Sequence, residues 1–357
     1  MKRLFVTMAL AAGVLLAVAY AFRTELATRA MRDVVASNLQ TDLISELPDG
    51  LHVALCGAGS PLPDPLRSGP CTAVMAGERL YIVDAGGGAS RTLSRLRIPQ
   101  GAIDAILLTH FHSDHIDGLG ELLMQRWANG TAVAPTPVIG PAGVEEVVRG
   151  FGLAYAADEG YRIAHHGEAV MPPAGAGAVA RPFPPPRAGE PVVVLDDGDL
   201  RISAFRVEHA PVEPAVGYRF DYAGRSVVIS GDTSPSEEVG RQAAGVDLLV
   251  HEALAPHLVA LLTEGAREAG RDNLVTITQD ILDYHTTPVE AARIAAEAGV
   301  GFLLYNHIVP PLPLAPLEDA FTEGVDAVYA GPFRVGRDGT LVVLPAGRDA
   351  IELEELL

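Results

Sequence analysis

Basic residues are scarce in this chain of 357 residues, and lysine is almost absent. Lys2 is the only lysine, and 45 acidic residues outnumber 26 basic ones, which gives a formal net charge of −19. Because binding to a phosphate backbone depends largely on Lys and Arg, this balance argues against a general nucleic-acid-binding protein. Cysteine is also scarce, with two in the whole chain. A small fold stapled by several disulfides and a four-cysteine zinc site are therefore both excluded.

Apolar residues, in contrast, are plentiful. Hydrophobic residues make up 48% of the chain and charged residues 20%, which is enough apolar material for a full core and excludes wholesale disorder. At roughly 150 residues per domain, the length predicts one large domain or two ordinary ones.

The first 22 residues have the pattern of a targeting segment. Lys2 and Arg3 precede an uncharged apolar run over residues 4–22. This pattern predicts either a signal peptide, with a small-x-small cleavage site at residues 19–21, or an uncleaved membrane anchor. A buried core helix is a third alternative. Either of the first two would make the protein periplasmic or secreted, or would hold it at the inner membrane.

The rest of the chain divides into a short connector and a folded domain. Apolar residues recur at helical spacing after Arg23, which predicts a connector helix within residues 23–50, followed by the domain over residues 51–357. Cys56 and Cys71 flank a loop rich in proline and glycine. Outside the cytoplasm they could form a disulfide, and two unpaired buried cysteines fit the sequence equally well.

Short apolar runs alternate with turn signals in two series. The first series predicts strands over residues 51–55, 71–75, 80–83 and 103–108, and a helix over 90–96. The second predicts strands over 192–195, 200–205, 217–222, 226–229, 248–250 and 302–305, and a helix over 288–298. Strands grouped ahead of helices, twice over, indicate a layered α/β sandwich of two similar halves. The Pro- and Gly-rich stretch over residues 171–191 predicts a loop or hinge between them.

The start of the second predicted helix is defined by its own residues. Thr287 provides a hydroxyl at the N-cap, Pro288 occupies the first helical position, and Glu290 follows three residues after the cap. This is a capping box with proline where its missing N–H costs nothing. The helix therefore begins just after His285, which is predicted to lie in a tight loop at the helix N-terminus.

The densest group of metal-ligand side chains follows the predicted strand over residues 103–108. The segment THFHSDH contains His110, His112, Asp114 and His115. Imidazole and carboxylate groups suit zinc and similar divalent ions. Four such groups within six residues cannot all reach one tetrahedral ion from a regular helix or strand, so the segment predicts two adjacent ions.

Two ions need ligands from elsewhere in the chain. Polar residues also follow several other predicted strands: His209, Asp232, His251, Glu252 and His307. Because strand ends can converge on one rim of a sheet, we expect some of these side chains to complete the metal centre.

Taken together, these segments resemble the metallo-β-lactamase superfamily, in the branch containing ribonuclease Z and the secreted arylsulfatases of this fold. The resemblance rests on five segments in order: THFHSDH, GDT at residues 231–233, HEA at 251–253, HTT at 285–287 and NH at 306–307. The segments GAGSPLPDP at 57–65 and VDAG at 83–86 are also similar to this branch. The resemblance covers about residues 51–344. It implies a four-layer αββα sandwich, here preceded by an N-terminal hydrophobic helix.

The resemblance also implies a role for each motif residue. It places His110, His112 and His209 on a first ion, Asp114, His115 and His307 on a second, and Asp232 as a bridge between them. The ions are expected to be Zn²⁺, with Mn²⁺ or Fe²⁺ as alternatives. A water or hydroxide between the ions would be the nucleophile, oriented by Asp114. Glu252 would orient His285, which would protonate the leaving group.

Departures from the ribonuclease Z pattern shape the expected activity. Ribonuclease Z proteins carry a long basic arm between the third histidine and the bridging aspartate, whereas His209 and Asp232 leave room only for a hairpin. Leu254 stands where the ribonuclease pattern has threonine, and class B β-lactamases have cysteine at the position of Asp232. With the targeting segment and the acidic composition, the sequence predicts an exported two-metal hydrolase of a small anionic ester, either a sulfate ester or a phosphodiester.

Several alternatives remain open at this point. They are a ribonuclease Z-type tRNA 3′-processing endonuclease, a lactonase or other carboxylic ester hydrolase, and a non-catalytic metal-binding scaffold. Nucleic acid is not an expected partner, whereas the membrane is one if the N-terminal segment stays uncleaved, and a homodimer is left open. His165 and His166 either line the substrate entrance or close a loop.

Overall fold

The computed structural model of the chain describes residues 2–40, 42–130 and 132–357. The helices are α1 (Lys2–Ala21), α2 (Arg23–Gln40), α3 (Leu43–Glu46), α4 (Ala89–Arg95), α5 (Ser113–Ile116), α6 (Leu119–Gly130), α7 (Val144–His166), α8 (Glu237–Gln242), α9 (Pro256–Glu268), α10 (Asp272–Asp280), α11 (Pro288–Ala298) and α12 (Pro316–Phe321).

The strands form two sheets. In chain order they are β1 (Leu51–Gly57), β2 (Cys71–Ala76), β3 (Arg79–Val83), β4 (Ile103–Leu107), β5 (Thr136–Pro141), β6 (Ala178–Phe183), β7 (Val192–Asp196), β8 (Leu200–Arg206), β9 (Val216–Tyr222), β10 (Arg225–Ile229), β11 (Leu248–Leu254), β12 (Phe302–Val309), β13 (Phe333–Val335), β14 (Thr340–Val343) and β15 (Glu352–Glu355). The first sheet has the order β15-β14-β1-β2-β3-β4-β5-β6, and the second has the order β13-β12-β11-β10-β9-β8-β7.

The two sheets pack face to face, and helices cover their outer faces. The core between the sheets joins residues of the first sheet, such as Val53 and Leu107, to residues of the second, such as Phe220 and Val250. Leu93 of α4 and Leu122 of α6 lie in a cluster with the outer face of the first sheet. Alanines of α11 and Val239 of α8 lie in a cluster with the outer face of the second. The predicted layered α/β sandwich is therefore confirmed.

The parallel part of each sheet determines where strand ends meet. Strand β4 pairs in parallel with β3 and β5, and β11 pairs in parallel with β10 and β12. Because the carboxyl ends of parallel neighbours lie at the same edge, residues that follow β4, β10 and β11 are delivered to a common rim. This rim is where the predicted metal ligands lie.

One predicted connection contains regular structure. The loop or hinge predicted over residues 171–191 includes β6, which pairs in parallel with β5. Strand β6 is an edge strand of its sheet, and most of its residues are half-buried or exposed. With Arg181 and Pro182 inside it, β6 shows no apolar alternation that would predict a strand.

The N-terminal region is helical as far as Gln40. The connector predicted within residues 23–50 consists of α2 and then the short helix α3, whose N-cap Asp42 accepts a hydrogen bond from the backbone N–H of Ile44. The signal peptide or anchor predicted for residues 1–22 falls on a segment in which Met1 and many side chains lie outside the described residues. Among those that are described, no helix combines the length and the apolar character needed to cross a membrane. The predicted anchor is not confirmed.

The two cysteines form a disulfide, which is one of the two arrangements that the sequence left open. Cys56 near the end of β1 is bonded to Cys71 at the start of β2, with their Cα atoms 4.9 Å apart. The bond closes the base of the loop over residues 57–70, and this loop lies beside the metal-binding motif.

Candidate metal centre

The predicted metal ligands are delivered by the ends of separate strands. His110 and His112 lie in the loop after β4, and Asp114 and His115 lie in the one-turn helix α5. His209 follows β8, and Asp232 follows β10. The sequence separates these groups widely, but the sheet edges bring them together as expected.

His307 reaches the site because of an irregularity within β12. In the pairing of β11 with β12, Glu252 lies opposite Asn306 and Ala253 lies opposite Ile308, so that His307 is the extra residue of a bulge. Its φ angle is +45°, in the left-handed region that residues other than glycine rarely adopt. A bulge redirects one side chain out of the regular alternation, and here it points the imidazole of His307 toward the ligand cluster.

The first group of ligands comprises three imidazoles and a carboxylate. His110 Nε2 lies 3.0 Å from His112 Nδ1, and His209 Nε2 lies 3.4 Å from the same atom. Asp232 Oδ2 is 3.8 Å from His110 Nε2 and 3.9 Å from His209 Nε2. All four ligand atoms lie within 4.8 Å of one another, close enough to share one ion.

The second group shares Asp232 with the first. Asp114 Oδ2 lies 3.3 Å from His307 Nε2 and 3.5 Å from His115 Nε2. Asp232 Oδ2 is 3.2 Å from both of these imidazole nitrogens. The Asp232 carboxylate therefore stands between the two groups, at the position that the resemblance predicts for a bridging ligand.

The donor set fits a pair of divalent ions. His115 Nε2 is fully buried and has no hydrogen-bond partner among the described residues, although it faces two carboxylates. A buried polar atom without a partner calls for an explanation, and a metal ion supplies one here. Imidazole nitrogens and carboxylate oxygens are the ligands that zinc and related transition ions take. The seven side chains therefore form a centre suited to divalent metal ions.

Burial keeps the imidazoles of the first group in the neutral form that binds metal. It lowers the pKa of His112 and His209, and it lowers that of His110 further, with neighbouring histidines adding to the effect. The second group behaves differently. Burial opposes protonation of His115, but the charges of Asp232 and Asp84 outweigh it and raise the pKa of His115 well above its usual value. Burial would raise the pKa of Asp232, but His307 and His115 hold it well below its usual value.

Asp84 supports the centre without belonging to either ligand group. Its Oδ2 lies 2.8 Å from His115 Nδ1, which leaves Nε2 of that ring directed at the other ligands. Its Oδ1 accepts the backbone N–H of Thr109 at 2.8 Å, and the Thr109 hydroxyl lies 3.0 Å from His110 Nδ1. No role was predicted for Asp84 from the sequence, although its VDAG segment was the available signal.

A second support comes from the backbone of Tyr284. Its carbonyl oxygen accepts a hydrogen bond from His209 Nδ1 at 3.1 Å, so Nε2 of His209 is the nitrogen left for metal. The Tyr284 ring packs against both His209 and His285, with ring centroids 4.9 and 4.8 Å apart. No side-chain pattern in the sequence indicates a contact made by a carbonyl group.

Glu252 and His285 form the predicted pair next to the second group. Glu252 Oε1 lies 3.2 Å from His285 Nδ1 and also accepts the backbone N–H of Thr286 at 2.9 Å. Burial disfavours the charged imidazole, but Glu252 outweighs burial and raises the pKa of His285. The predicted capping box is present, since the Thr287 hydroxyl accepts from Glu290 N–H and the Glu290 side chain accepts from Thr287 N–H. Helix α11 begins at Pro288 as predicted.

Other histidines of the chain lie outside these groups. His251 is buried in β11, and its Nδ1 donates to the Glu252 carbonyl at 2.7 Å. His165 and His166 lie in the last turn of α7, where both are exposed. They end a long helix and do not close a loop, which corrects one of the two alternatives given for them.

Sequence comparisons relate this chain to a family of known proteins. The sequence profile of the metallo-beta-lactamase superfamily matches residues 64–292. Ribonuclease Z of Mycobacterium avium (strain 104) is 37% identical over 290 residues, which is 81% of this chain and 96% of that protein. Ribonuclease Z of Mycolicibacterium gilvum (strain PYR-GCK) is 38% identical over 267 residues, which is 73% of this chain and 85% of that protein.

Solved structures resemble the fold at lower sequence identity. The metallo-beta-lactamase fold protein YhfI from Bacillus subtilis aligns with a TM-score of 0.59 and 21% identity over 82% of this chain and 99% of that one. The short form of human tRNase Z aligns with a TM-score of 0.52 and 22% identity over 72% of this chain and 92% of that one. The solved structures agree with the fold. The matches to the superfamily profile and to the ribonuclease Z sequences show that the chain belongs to the metallo-β-lactamase superfamily, in the branch of ribonuclease Z, and is a metal-dependent hydrolase.

Proposed function

We propose that this protein is a phosphodiesterase of the ribonuclease Z type that cleaves RNA with two divalent metal ions, Zn²⁺ first among them. The observation that carries the proposal is the complete set of seven candidate ligands and the Glu252–His285 pair, in a chain 37% identical to a ribonuclease Z over 290 residues. The relatives support this activity better than the first expectation from the sequence, which was an exported hydrolase of a small sulfate ester or phosphodiester.

The roles of the protein's own groups follow from where they lie. When bound, two adjacent divalent ions lower the pKa of a water molecule and stabilise negative charge on the attacking and leaving oxygens. Asp114 lies beside both His115 and His307, where its carboxylate can orient the attacking water. The water oxygen forms a bond to phosphorus, the bond from phosphorus to the leaving oxygen breaks, and the products are a phosphate monoester and an alcohol.

His285 is placed to complete this reaction. Burial opposes the charged imidazole, but Glu252 outweighs it and raises the pKa of His285, which favours the protonated form that can donate a proton to the leaving oxygen. Glu252 holds the ring through Nδ1, which leaves Nε2 to face the substrate. The Glu252 carboxylate is itself fixed by the backbone N–H of Thr286, so the donor is held in one orientation.

A second candidate is an exported hydrolase of a small ester such as an aryl sulfate. The Cys56–Cys71 disulfide supports it, because disulfides persist mainly in oxidising compartments such as the periplasm or the cell exterior. The formal charge of −19 also disfavours a polyanionic substrate. Between His209 and Asp232, strands β9 and β10 pair as a hairpin, which leaves little chain for an RNA-binding arm. Location outside the cytoplasm belongs to this second candidate.

One substrate panel separates the two candidates. Purified protein loaded with Zn²⁺ or Mn²⁺ is assayed on a precursor tRNA with a 3′ extension, on bis(p-nitrophenyl) phosphate and on p-nitrophenyl sulfate. Endonucleolytic cleavage near the mature tRNA 3′ end supports the ribonuclease proposal. Turnover of the aryl sulfate without cleavage of the RNA would overturn it and favour the second candidate.

The variant His112→Ala is the catalytic control for this panel. His112 is half-buried at the mouth of the centre, so truncating it removes a candidate ligand while leaving the core packing in place. Turnover of every substrate should be lost, with the circular dichroism spectrum unchanged and bound metal reduced by elemental analysis.

A further inference from the structure

A polar cavity of about 480 Å³ opens beside the metal centre. The loop over residues 58–70 between β1 and β2 provides most of its wall, and Ser113 and Asp114 of the metal-binding motif lie in the rest of it. The other lining residues are Gly87, Arg95, Asp117 and Asp338. Because Asp114 is also a candidate metal ligand, this loop pocket is continuous with the reaction site. Its volume lies within the range of small-molecule binding sites.

Two buried polar atoms in the wall of the loop pocket have no hydrogen-bond partner among the described residues. They are Ser60 Oγ, in a residue that is 8% exposed, and Asp64 Oδ2, in a side chain that is 2% exposed. Asp64 Oδ2 does lie 3.5 Å from Arg67 Nη1, which is longer than a good hydrogen bond. Leaving buried polar atoms unpaired costs free energy, so these positions are suited to hydrogen bonds with a bound group.

The loop is held in place and does not need a ligand to order it. The Arg67 side chain is buried and donates to the Gly336 carbonyl at 3.0 Å and to Glu318 at 2.8 Å. The Asp338 carboxylate accepts the backbone N–H groups of Ala58 at 3.1 Å and Ser68 at 2.9 Å. Together with the disulfide at its base, these contacts give a preformed pocket.

The chemistry of the wall selects among possible occupants. Its polar groups include the hydroxyls of Ser60 and Ser113 and the carboxylates of Asp64 and Asp117. An aryl or acyl group would leave these polar atoms desolvated and unpaired. The wall also contains the guanidinium groups of Arg67 and Arg95, but four carboxylates outnumber them, so an anionic group in addition to the scissile phosphate is disfavoured. A neutral group rich in hydroxyls, such as a sugar, can donate hydrogen bonds to the carboxylates of the wall. It can also donate hydrogen bonds to the serine hydroxyls and accept hydrogen bonds from them.

The position of the pocket indicates which side of a phosphodiester it takes. Within the described chain its wall includes Asp114 but neither Glu252 nor His285. The group that leaves must lie near His285, which protonates it. The group in the loop pocket is therefore the substituent that stays on phosphorus.

We propose that the loop pocket binds a ribosyl group, retained on the scissile phosphate, through Ser60 and Asp64, and that it distinguishes ribose from deoxyribose. A 2′-hydroxyl adds one donor and one acceptor to the group, which is how proteins separate ribonucleotides from deoxyribonucleotides. This inference rests on the proposed phosphodiesterase activity, and it goes beyond it by assigning a sugar subsite and the residues that select the sugar.

The test uses a matched pair of small substrates in which only the sugar differs. Uridine 5′-(p-nitrophenyl phosphate) and its 2′-deoxy counterpart both release p-nitrophenol and retain the nucleoside on phosphorus. The metal-loaded protein should show a kcat/KM for the ribo substrate about tenfold above that for the deoxy substrate, the size expected for one hydrogen bond in a buried site. Ser60→Ala should bring this ratio close to one, whereas the surface variant Ser45→Ala should keep the wild-type ratio.

A binding measurement gives a second readout that needs no turnover. Titration calorimetry with uridine 5′-monophosphate and 2′-deoxyuridine 5′-monophosphate should show the same preference for ribose, and Asp64→Asn should reduce it. The asparagine side chain keeps the shape of the aspartate and an oxygen for the Leu66 N–H, so this variant is expected to fold even where Ser60→Ala does not.

The outcomes separate this inference from the proposed function. Equal kcat/KM values for the two sugars in the wild type, or an unchanged ratio in Ser60→Ala, would overturn the sugar subsite while leaving phosphodiesterase activity standing. Absence of hydrolysis of any phosphodiester would overturn the proposed function, and the binding preference would then decide the subsite by itself.

Discussion

Single residues outside the ligand set decide how well the metal centre is held. Asp84 orients His115 through Nδ1 and fixes the Thr109 backbone beside His110. Its φ angle of +60° lies in the left-handed region, where aspartate and asparagine are tolerated better than most residues. Substitution by asparagine therefore tests the charge while keeping the backbone.

We expect Asp84→Asn to weaken metal binding by about 10–100-fold, the range found when a residue that orients a ligand is changed. Competition with a chromophoric chelator measures the affinity. Asp104→Asn is the matched control, because Asp104 also accepts a backbone N–H, from Leu80 on the neighbouring strand, but lies outside the centre. Equal affinities in Asp84→Asn and the wild type would show that Asp84 has no part in holding the ions.

In the proposed reaction, we expect the charge of Glu252 to set the pH range in which His285 can donate its proton. Burial alone would lower the pKa of His285, and Glu252 raises it. A proton donor is active while it is protonated, so turnover should fall as pH rises through this raised pKa.

Glu252→Gln removes the charge, lowers the pKa of His285 and should shift the alkaline limb of the kcat profile to lower pH. A kcat profile from about pH 5 to about pH 9 on bis(p-nitrophenyl) phosphate measures the shift. A uniform fall in kcat across this range, without movement of the limb, would indicate that Glu252 acts only as a structural support.

The clustering of the candidate ligands was predictable from the sequence, whereas the residues that support them were not. His110, His112, Asp114 and His115 indicate a metal site because four ligand side chains lie within six residues. Asp84 acts through a contact between residues that are distant in sequence, and Tyr284 acts through a backbone carbonyl. Such contacts exist only once the strands have been placed side by side.

At the scale of secondary-structure elements, the start of α11 shows how a local sequence positions a reacting group. The capping box at Thr287 fixes the first turn, and His285 lies two residues before it. Thr287→Ala should lower the free energy of unfolding by about 1 kcal/mol through loss of the cap. It should also reduce kcat, because the loop that carries His285 is then less well held.

Ser236→Ala is the control for this prediction, since Ser236 is the N-cap of α8 and its hydroxyl also accepts hydrogen bonds from backbone N–H groups of the first turn. It should cost a similar free energy of unfolding, measured by urea denaturation, with kcat retained. If both variants lowered kcat equally, the effect would be one of general stability and not of the position of His285.

The disulfide acts on the pair of strands β1 and β2. It links residues 15 positions apart, and a loop of that size is expected to contribute about 3 kcal/mol of stability. The double variant Cys56→Ser/Cys71→Ser should have a free energy of unfolding lower than that of the oxidised wild type by that amount. In a denaturant titration, its midpoint should lie at a lower concentration. Reductant should lower the midpoint of the wild type and leave that of the double variant unchanged, and a wild-type midpoint indifferent to reductant would contradict this account.

Elements with a one-sided apolar pattern could be predicted, and elements without one could not. Helix α11 matches its predicted bounds because its cap and its apolar face are both local features. Helix α7 has an apolar stripe only in its first half, at Val144, Val147, Val148 and Phe151, and the stripe does not continue at that spacing to the end of its 23 residues, so periodicity gives a weak signal for the full helix.

For the whole molecule, the distribution of charge bears directly on the substrate. A formal charge of −19 repels a polyanion over distances that depend on salt. Raising sodium chloride from about 0.01 to about 0.15 M shortens the Debye length from about 30 to about 8 Å and screens this repulsion. We therefore expect kcat/KM for precursor tRNA to rise several-fold with salt, while bis(p-nitrophenyl) phosphate changes little. A steep fall with salt, as basic nucleic-acid-binding proteins show, would reveal a local cationic RNA site.

The order of predicted strands and helices indicated the architecture better than the amino-acid composition indicated the activity. Two successive series of strands and helices indicated the two-sheet sandwich, since layering follows from how apolar faces must pair. The acidic balance argued against nucleic acid, yet the related proteins are named Ribonuclease Z. A net charge sums the whole surface, whereas a substrate contacts only part of it, so the sum could not decide the question.

The ligands come from both sheets, and this has a consequence for how the protein matures. The first half contributes the loop after β4, and the second contributes His209, Asp232 and His307. Neither half contains all the candidate ligands of the two metal ions. Stable uptake of these ions is therefore expected only after β12, near the C-terminal end of the chain, has been synthesised and the two halves have packed together. A chain whose halves have not packed together lacks part of each ligand group, so it is expected to lose its ions and to be inactive.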